Sequence, residues 1–209
     1  MIVLLVRHGE TIWNTQHRLQ SDTDAPGVQL TDVGRAQSTA CGKLIRNRWG
    51  IDNVTVYSSP LKRCLESVKC MAIGTRVVKD DDLKERCLGP LAGMIVDRDV
   101  IIRLQKGTDP GIETMPQLIQ RSRQALDAIC RAAEDEGSTT VVVVTHGGFI
   151  SSVGRWAGPN TKWPRVRNGH LCVLKRESAK WRVSEWNIGD TSVPAGGGSA
   201  TAFGGGDFG

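Results

Sequence analysis

Long hydrophobic runs are missing from this 209-residue chain. No stretch approaches the roughly 18 consecutive apolar residues of a membrane-spanning helix, so no membrane partner is expected. The first apolar run, Ile2-Val3-Leu4-Leu5-Val6, has no basic segment before it and no small-residue cleavage site after it, so no signal peptide is expected either. The chain also lacks clustered charge. Its formal net charge is +5, yet the lysines and arginines are scattered, with no run of five or six, which argues against nucleic acid. A surplus of positive charge without a basic tract fits a small phosphorylated metabolite. Finally, recognisable metal-ligand spacing is absent. The six cysteines (41, 64, 70, 87, 130 and 172) form no Cys-x-x-Cys pair, and the histidines do not cluster. Dispersed cysteines of this kind predict small core residues of a reduced, cytoplasmic protein.

What is present is an ordinary globular composition, 39% hydrophobic and 23% charged. One domain is expected over residues 1–193, followed by a Gly-rich flexible tail over 194–209, in which seven of sixteen residues are glycine. Branched apolar runs alternate with helical patterns. Strands are expected at Ile2–Val6, Val54–Tyr57, Val77–Val78 and Thr140–Val144, and an antiparallel pair at Leu171–Leu174 and Trp181–Val183. Helices are expected from Thr31, as N-cap, to Trp49, and from Pro60, in the first turn, to Met71. Three more are expected over Met94–Lys106, Met115–Glu134 and Phe149–Trp156. Thr11 to Gly27 and Asp80 to Pro90 read as loops. The alternation gives an α/β fold with a mostly parallel central sheet. Trp156 and Trp163 are candidates for a homodimer interface, for core packing or for pocket lining.

Two of the strands end alike. Val6 runs into Arg7-His8-Gly9, and Val144 runs into Thr145-His146-Gly147-Gly148. A single strand-end histidine is more often a structural hydrogen-bonding residue than a catalyst; the repetition is what points to a site. If the two strands are neighbours, both imidazoles meet at one sheet edge, where open α/β sheets hold their ligands. Glycines there let a ligand approach the backbone, and helix N-termini aim N–H groups at anions. Arg7 adds a planar fork suited to phosphate, and Arg63, one turn into the helix after Ser58-Ser59-Pro60, adds a second. Neutral imidazole in such a pocket is a nucleophile that can split a transfer into two easier steps.

Leu5-Val6-Arg7-His8-Gly9-Glu10-Thr11 resembles the Arg-His-Gly signature of the histidine phosphatase superfamily, in its phosphoglycerate-mutase-like branch. The resemblance continues in order through Trp13-Asn14, Leu30-Thr31-Asp32-x-Gly34-Arg35-x-Gln37 and Tyr57-Ser58-Ser59-Pro60-Leu61-x-Arg63. It then includes Leu83-x-Glu85-Arg86-x-x-Gly89-x-Leu91-x-Gly93, Gly111-Ile112-Glu113-Thr114 and Val144-Thr145-His146-Gly147-Gly148, roughly residues 1–190 in all. It implies a three-layer α/β/α sandwich. It implies that His8 is the nucleophile that becomes phosphohistidine, and that Arg7, Arg63 and His146 hold the transferring phosphoryl group. Glu85 is implied as the acid that protonates the leaving oxygen and then the base that activates water. Asn14 and the Gly147 N–H are implied as donors to phosphate oxygens, and Gln20 and Ser21 as substrate contacts. No cofactor and no metal is implied.

Within the superfamily the residues favour a phosphatase over the cofactor-dependent phosphoglycerate mutases. Mutases continue after Glu-Arg with a substrate-binding tyrosine where this chain has Leu88, and with a lysine where it has Val96. They carry a long insertion with paired arginines; here only about twenty residues separate Gly93 from Glu113, and Arg98 and Arg103 are isolated. They usually read His-Gly-Asn where this chain has His146-Gly147-Gly148. A short lid suits water entry and hydrolysis. A non-catalytic phosphate-binding regulatory domain is the remaining alternative, against which stand the five intact core positions Arg7, His8, Arg63, Glu85 and His146.

Overall fold

The two strands that end in His-Gly are neighbours. A computed structural model describes residues 1–194, and the remainder of the predicted tail, 195–209, lies outside the described residues. Strand β1 (Ile2–Arg7) pairs in parallel with β4 (Thr140–Thr145), with Ile2 opposite Thr140 and Arg7 opposite Thr145. Strand β2 (Val54–Ser58) lies parallel on the far side of β4, and β3 (Gly74–Lys79) lies parallel beyond it. On the other side of β1, β5 (Leu171–Glu177) runs antiparallel and β6 (Lys180–Ile188) closes the sheet, giving the order β3-β2-β4-β1-β5-β6. This is the mostly parallel sheet with a terminal antiparallel pair that the sequence predicts.

Continuous apolar runs make sense because both sheet faces are covered. Val3, Leu5, Val141 and Val143 share a core with Leu126 and Ile129 of α5 (Met115–Asp135) and Phe149, Ile150 and Val153 of α6 (Gly147–Ala157). The alternate residues Leu4, Val6, Val142 and Val144 pack against Cys41 and Ile45 of α2 (Asp32–Trp49) and Cys64, Val68 and Met71 of α3 (Lys62–Met71). A third, small core joins Leu88, Leu91 and Ile112. The predicted three layers are therefore present. Trp156 packs on the first core and Trp163 stacks on Trp186, with ring centroids 4.9 Å apart.

Local departures from the sequence reading have local causes. The segment after Thr11 is not wholly loop: Ile12–Thr15 forms one helical turn, α1, closed by a reciprocal Thr11/Asn14 cap. Helix α3 starts at Lys62 rather than at Pro60, because the proline keeps its predecessor extended and Leu61 is itself extended at ψ 137°. The helix expected from Met94 starts at Arg98 as α4 (Arg98–Lys106), with Asp97 as N-cap. Met94 and Val96 are instead tied to Leu19 and His17 by backbone hydrogen bonds of 2.9 and 2.8 Å. Helix α6 begins at Gly147, two residues earlier than expected. The loop from Asp80 to Pro90 holds two short 3₁₀ turns.

One close approach fixes the loop after β1. A side chain on Gly9 would collide with the Gly34 carbonyl, and one on Gly34 would collide with the Glu10 backbone. The N-terminal turn of α2 thus lies directly on the Arg-His-Gly loop, and both residues must be glycine for it to do so.

Candidate active site

Register carries Arg7, His8 and His146 to the same sheet edge, because Arg7 lies opposite Thr145. The His8 and His146 ring centroids are 5.2 Å apart, edge to face at 62°. Both rings are buried. His8 Nδ1 lies 2.7 Å from the Gly9 carbonyl oxygen. A carbonyl only accepts, so Nδ1 carries the proton and the lone pair sits on Nε2. Burial, and then the charges of Arg63 and Arg7, hold the His8 pKa well below 6.5, so the ring is neutral. The loop before β5 fixes the turn that bears His8 from outside. Asn168 Nδ2 donates to the His8 carbonyl at 3.1 Å, and the Gly169 N–H reaches the Arg7 and His8 carbonyls.

Arg63 is fully buried. Its Nη2 donates to the Ser21 carbonyl at 2.8 Å, its Nη1 to the Thr23 carbonyl at 3.3 Å, and its Nε to His146 Nδ1 at 3.2 Å. An arginine only donates, so His146 accepts at Nδ1 and its Nε2–H donates to Ser59 Oγ at 2.8 Å. Burial and Arg63 keep His146 neutral as well. Both ring nitrogens of His146 face protein groups, Nδ1 the Arg63 guanidinium and Nε2 the Ser59 hydroxyl. Arg7 Nη1 donates to the Val166 carbonyl at 2.7 Å, whereas its Nε is buried with no partner among the described residues. Burial, and then Arg165, bring the Arg7 pKa down to about 9, so it remains a cation at neutral pH.

Glu85 is docked against the start of α6. Its Oε2 accepts from the Gly148 N–H at 3.1 Å and its Oε1 from the Arg86 N–H at 2.9 Å. A Cβ on Gly148 would collide with Oε1, so the second glycine of His-Gly-Gly is what lets the carboxylate sit there. The loop bearing Glu85 is braced by a residue absent from the sequence reading, Arg121 of α5. Its guanidinium grips Glu113 at 2.8 and 2.7 Å and donates to the carbonyls of Asp82, Lys84 and Glu85 at 2.6, 3.0 and 3.4 Å. A cavity of about 630 Å3 borders Glu85, with Asp22, Cys87, Ile112 and Arg121 also on its wall. Neither histidine lines it; Glu85 is the one member of the five at its edge.

Among the expected substrate contacts, Asn14 and Gly147 are at the site. Asn14 Oδ1 accepts from Thr11 and Asn168, which fixes the amide and leaves Nδ2 free to donate. Gly147 opens α6. Ser21 contributes through its carbonyl; its hydroxyl bridges Asp22 and the Leu88 N–H. Gln20 is half-buried, with Oε1 unpartnered. Ser59, Arg121, Arg165 and Asn168 were not singled out for a role from sequence. Only Ser59 had a local cue, its place at the β2–α3 junction. Arg165 keeps contact with solvent, but the surrounding protein still lowers its pKa, with the Glu85 carboxylate opposing. Among the described residues no three His, Cys, Asp or Glu side chains are grouped so as to hold a metal ion, and no helix is long and apolar enough to cross a membrane.

Two guanidinia and a neutral histidine with a free ring nitrogen make an arrangement able to bind a phosphoryl group and attack it. Known proteins resemble this chain along most of its length. A phosphoglycerate mutase-like protein of Arabidopsis thaliana is 32% identical over 206 residues, covering 91% of this chain and 85% of that one. A metal-independent phosphoserine phosphatase of the same plant is 30% identical over 201 residues, covering 88% and 80%. The solved mycobacterial glucosyl-3-phosphoglycerate phosphatase superposes with a TM-score of 0.74 at 24% identity, covering 90% of this chain and 98% of that one, which shows a shared fold. The family model for the histidine phosphatase superfamily (branch 1) matches residues 3–189, and the chain belongs to that superfamily.

Proposed function

We propose that this protein is a metal-independent phosphatase that hydrolyses a small phosphomonoester through a phosphohistidine intermediate, with one catalytic domain over residues 1–193. The observation that carries the reading is the His8 tautomer: the proton held on Nδ1 by the Gly9 carbonyl leaves the Nε2 lone pair for attack. Arg7 and Arg63 clamp the phosphoryl oxygens, and Asn14 Nδ2 and the Gly147 N–H add donors. Nε2 attacks phosphorus, the P–O bond to the alcohol breaks, and Glu85 gives its proton to the departing oxygen. Water then attacks phosphorus, Glu85 takes a proton from it, the P–N bond breaks and inorganic phosphate leaves. The cavity bordering Glu85 gives water a route to that base. Leu88, which occupies the position of the mutase tyrosine, is packed with Leu91 and Ile112 and donates its N–H to Ser21, which favours hydrolysis over mutase chemistry. Its unpaired thiols fit a reducing, cytoplasmic setting.

The test is trapping. Enzyme incubated with a ³²P-labelled ester and quenched in alkali should carry acid-labile label, and His8→Ala should lose the label and roughly a thousandfold or more of turnover. Turnover retained by His8→Ala refutes the reading. Isomerisation of 3-phosphoglycerate in the presence of 2,3-bisphosphoglycerate, faster than phosphate release, replaces it with the mutase one.

A further inference from the structure

Gln37 sits in α2, one turn after Gly34, and no step of the proposed reaction touches it. It is a buried polar side chain, and both ends of its amide have partners. Oε1 accepts from the Glu10 N–H at 2.9 Å, and Nε2 donates to the Pro194 carbonyl at 2.9 Å. A backbone N–H only donates and a carbonyl only accepts, so neither partner tolerates the reverse orientation of the amide. Gly169 closes the position from the far side. A side chain on Gly169, which lies at φ 68°, would overlap Gln37 Cβ and the Gln37 backbone.

The Glu10 N–H belongs to the same peptide as the Gly9 carbonyl. A trans peptide is planar, and its N–H and C=O point in opposite directions, so a hold on one fixes the other. Gln37 grips the N–H side of this plane, and the carbonyl on the other side accepts the His8 Nδ1 proton at 2.7 Å. The flanking peptides have holds of their own. The Gly9 N–H donates to Ser67 Oγ at 3.0 Å, and the Glu10 carbonyl accepts from the Thr31 N–H at 2.9 Å. Among the described residues, only Gln37 and His8 itself bond to the plane between them. Hydrogen bonds in line polarise one another, so the Gln37 bond also strengthens the Gly9 carbonyl as an acceptor.

We propose that Gln37 is a positioning residue for the nucleophile: by holding the Gly9–Glu10 peptide it keeps the Gly9 carbonyl aimed at His8 Nδ1, so that the proton stays on Nδ1 and the lone pair on Nε2. The use of that lone pair rests on the phosphatase reading; the place of the proton does not, and it is read without turnover. ¹⁵N spectra of histidine-labelled protein, with the His8 signals identified by their loss in His8→Ala, should show Nδ1 protonated and Nε2 bare. Gln37→Met removes the acceptor, the carbonyl turns away, and the proton should divide between the two nitrogens. Phosphohistidine formation should then slow roughly tenfold to a hundredfold, as a misplacement of about 1 Å costs, while the Kd for inorganic phosphate shifts by less than about threefold. Gln37→Glu keeps an oxygen facing the Glu10 N–H and should retain the Nδ1 tautomer and most of the rate. Gln37→Asn, whose amide falls one methylene short, should behave as Gln37→Met does, and it decides the matter if the methionine variant does not fold. An unchanged His8 tautomer in Gln37→Met and Gln37→Asn overturns the proposal, whether or not the rate falls. So does a shifted tautomer in Gln37→Glu, or a phosphate Kd that weakens as much as the rate. A shifted tautomer in Gln37→Met, in an enzyme whose parent forms no phosphohistidine, overturns the phosphatase reading and leaves Gln37 in its place.

Discussion

Replacing Gly148 with alanine separates catalysis from stability, because the first should fall steeply while the second should barely move. Gly148 is the second residue of α6, and exchanging a helical glycine for alanine ordinarily stabilises by about 0.5–1 kcal/mol. Here the new Cβ collides with Glu85 Oε1, and its closest other neighbours are the Glu85 carboxyl carbon at 3.2 Å and Arg86 Cβ at 3.6 Å. What must yield is the end of one flexible side chain, so folding loses little. The carboxyl group, however, leaves the place where the Gly148 and Arg86 N–H groups hold it. Displacing a catalytic group by about 1 Å costs on the order of 100-fold, within the 10²–10⁴-fold that general acid catalysis supplies. An alkyl phosphate, whose alkoxide leaves poorly, should therefore lose about 100-fold in kcat. p-Nitrophenyl phosphate, whose leaving group needs no proton, should lose less than about fivefold. Thermal unfolding should shift by no more than a few degrees. Equal losses on the two esters, or alkyl phosphate turnover within threefold of the parent, would refute the placement of Glu85 as the acid.

Arg121→Met should act on the same step from further away. Left without its guanidinium, Glu113 and the carbonyls of Asp82, Lys84 and Glu85 lose donors, at roughly 1–3 kcal/mol by urea unfolding. The loss in kcat should again be larger on alkyl than on p-nitrophenyl phosphate; a stability loss with equal kinetic effects would make Arg121 a purely structural brace. Gly34→Ala should destabilise by about 1–3 kcal/mol, since its Cβ meets the Glu10 backbone, which cannot swing aside; an unchanged urea midpoint would contradict the packing of α2 on the nucleophile loop. Acid should weaken the fold early. Below about pH 6.5 the unfolded chain binds protons at His8 and His146 that the folded chain refuses, so stability falls as pH drops, by up to about 2.7 kcal/mol per pH unit for the pair. Urea unfolding between pH 7 and pH 5 measures this, and a flat profile would show that the two rings are not held neutral.

The two central strands were legible because a strand covered on both faces must be apolar throughout, as Ile2–Val6 and Thr140–Val144 are. The strand-end glycines and histidines were legible because their chemistry is written in adjacent residues. Helix starts were less so. Pro60 misplaced the start of α3, and Met94 that of α4, since the pairing of Met94 and Val96 with residues 17–19 is a long-range contact. Asn168, Arg121 and Arg165 carry no local pattern: each is an ordinary polar residue in its own segment, and its meaning comes from what it faces.

By itself the sequence determined the α/β class, the two histidine-bearing strand ends and the chemistry those side chains can perform, because these depend on residue type and short-range spacing. Tertiary structure alone decided which atoms are free to react. Parallel register set the two rings 5.2 Å apart, a carbonyl in the same loop, by accepting from Nδ1–H, held the His8 proton there and left Nε2 bare, and Arg63 spent its Nε on His146. Hydrogen-bond direction at a site is a property of neighbours in space, and the Arg165 guanidinium lies beside Arg7 at the start of α6 only because the chain returns there.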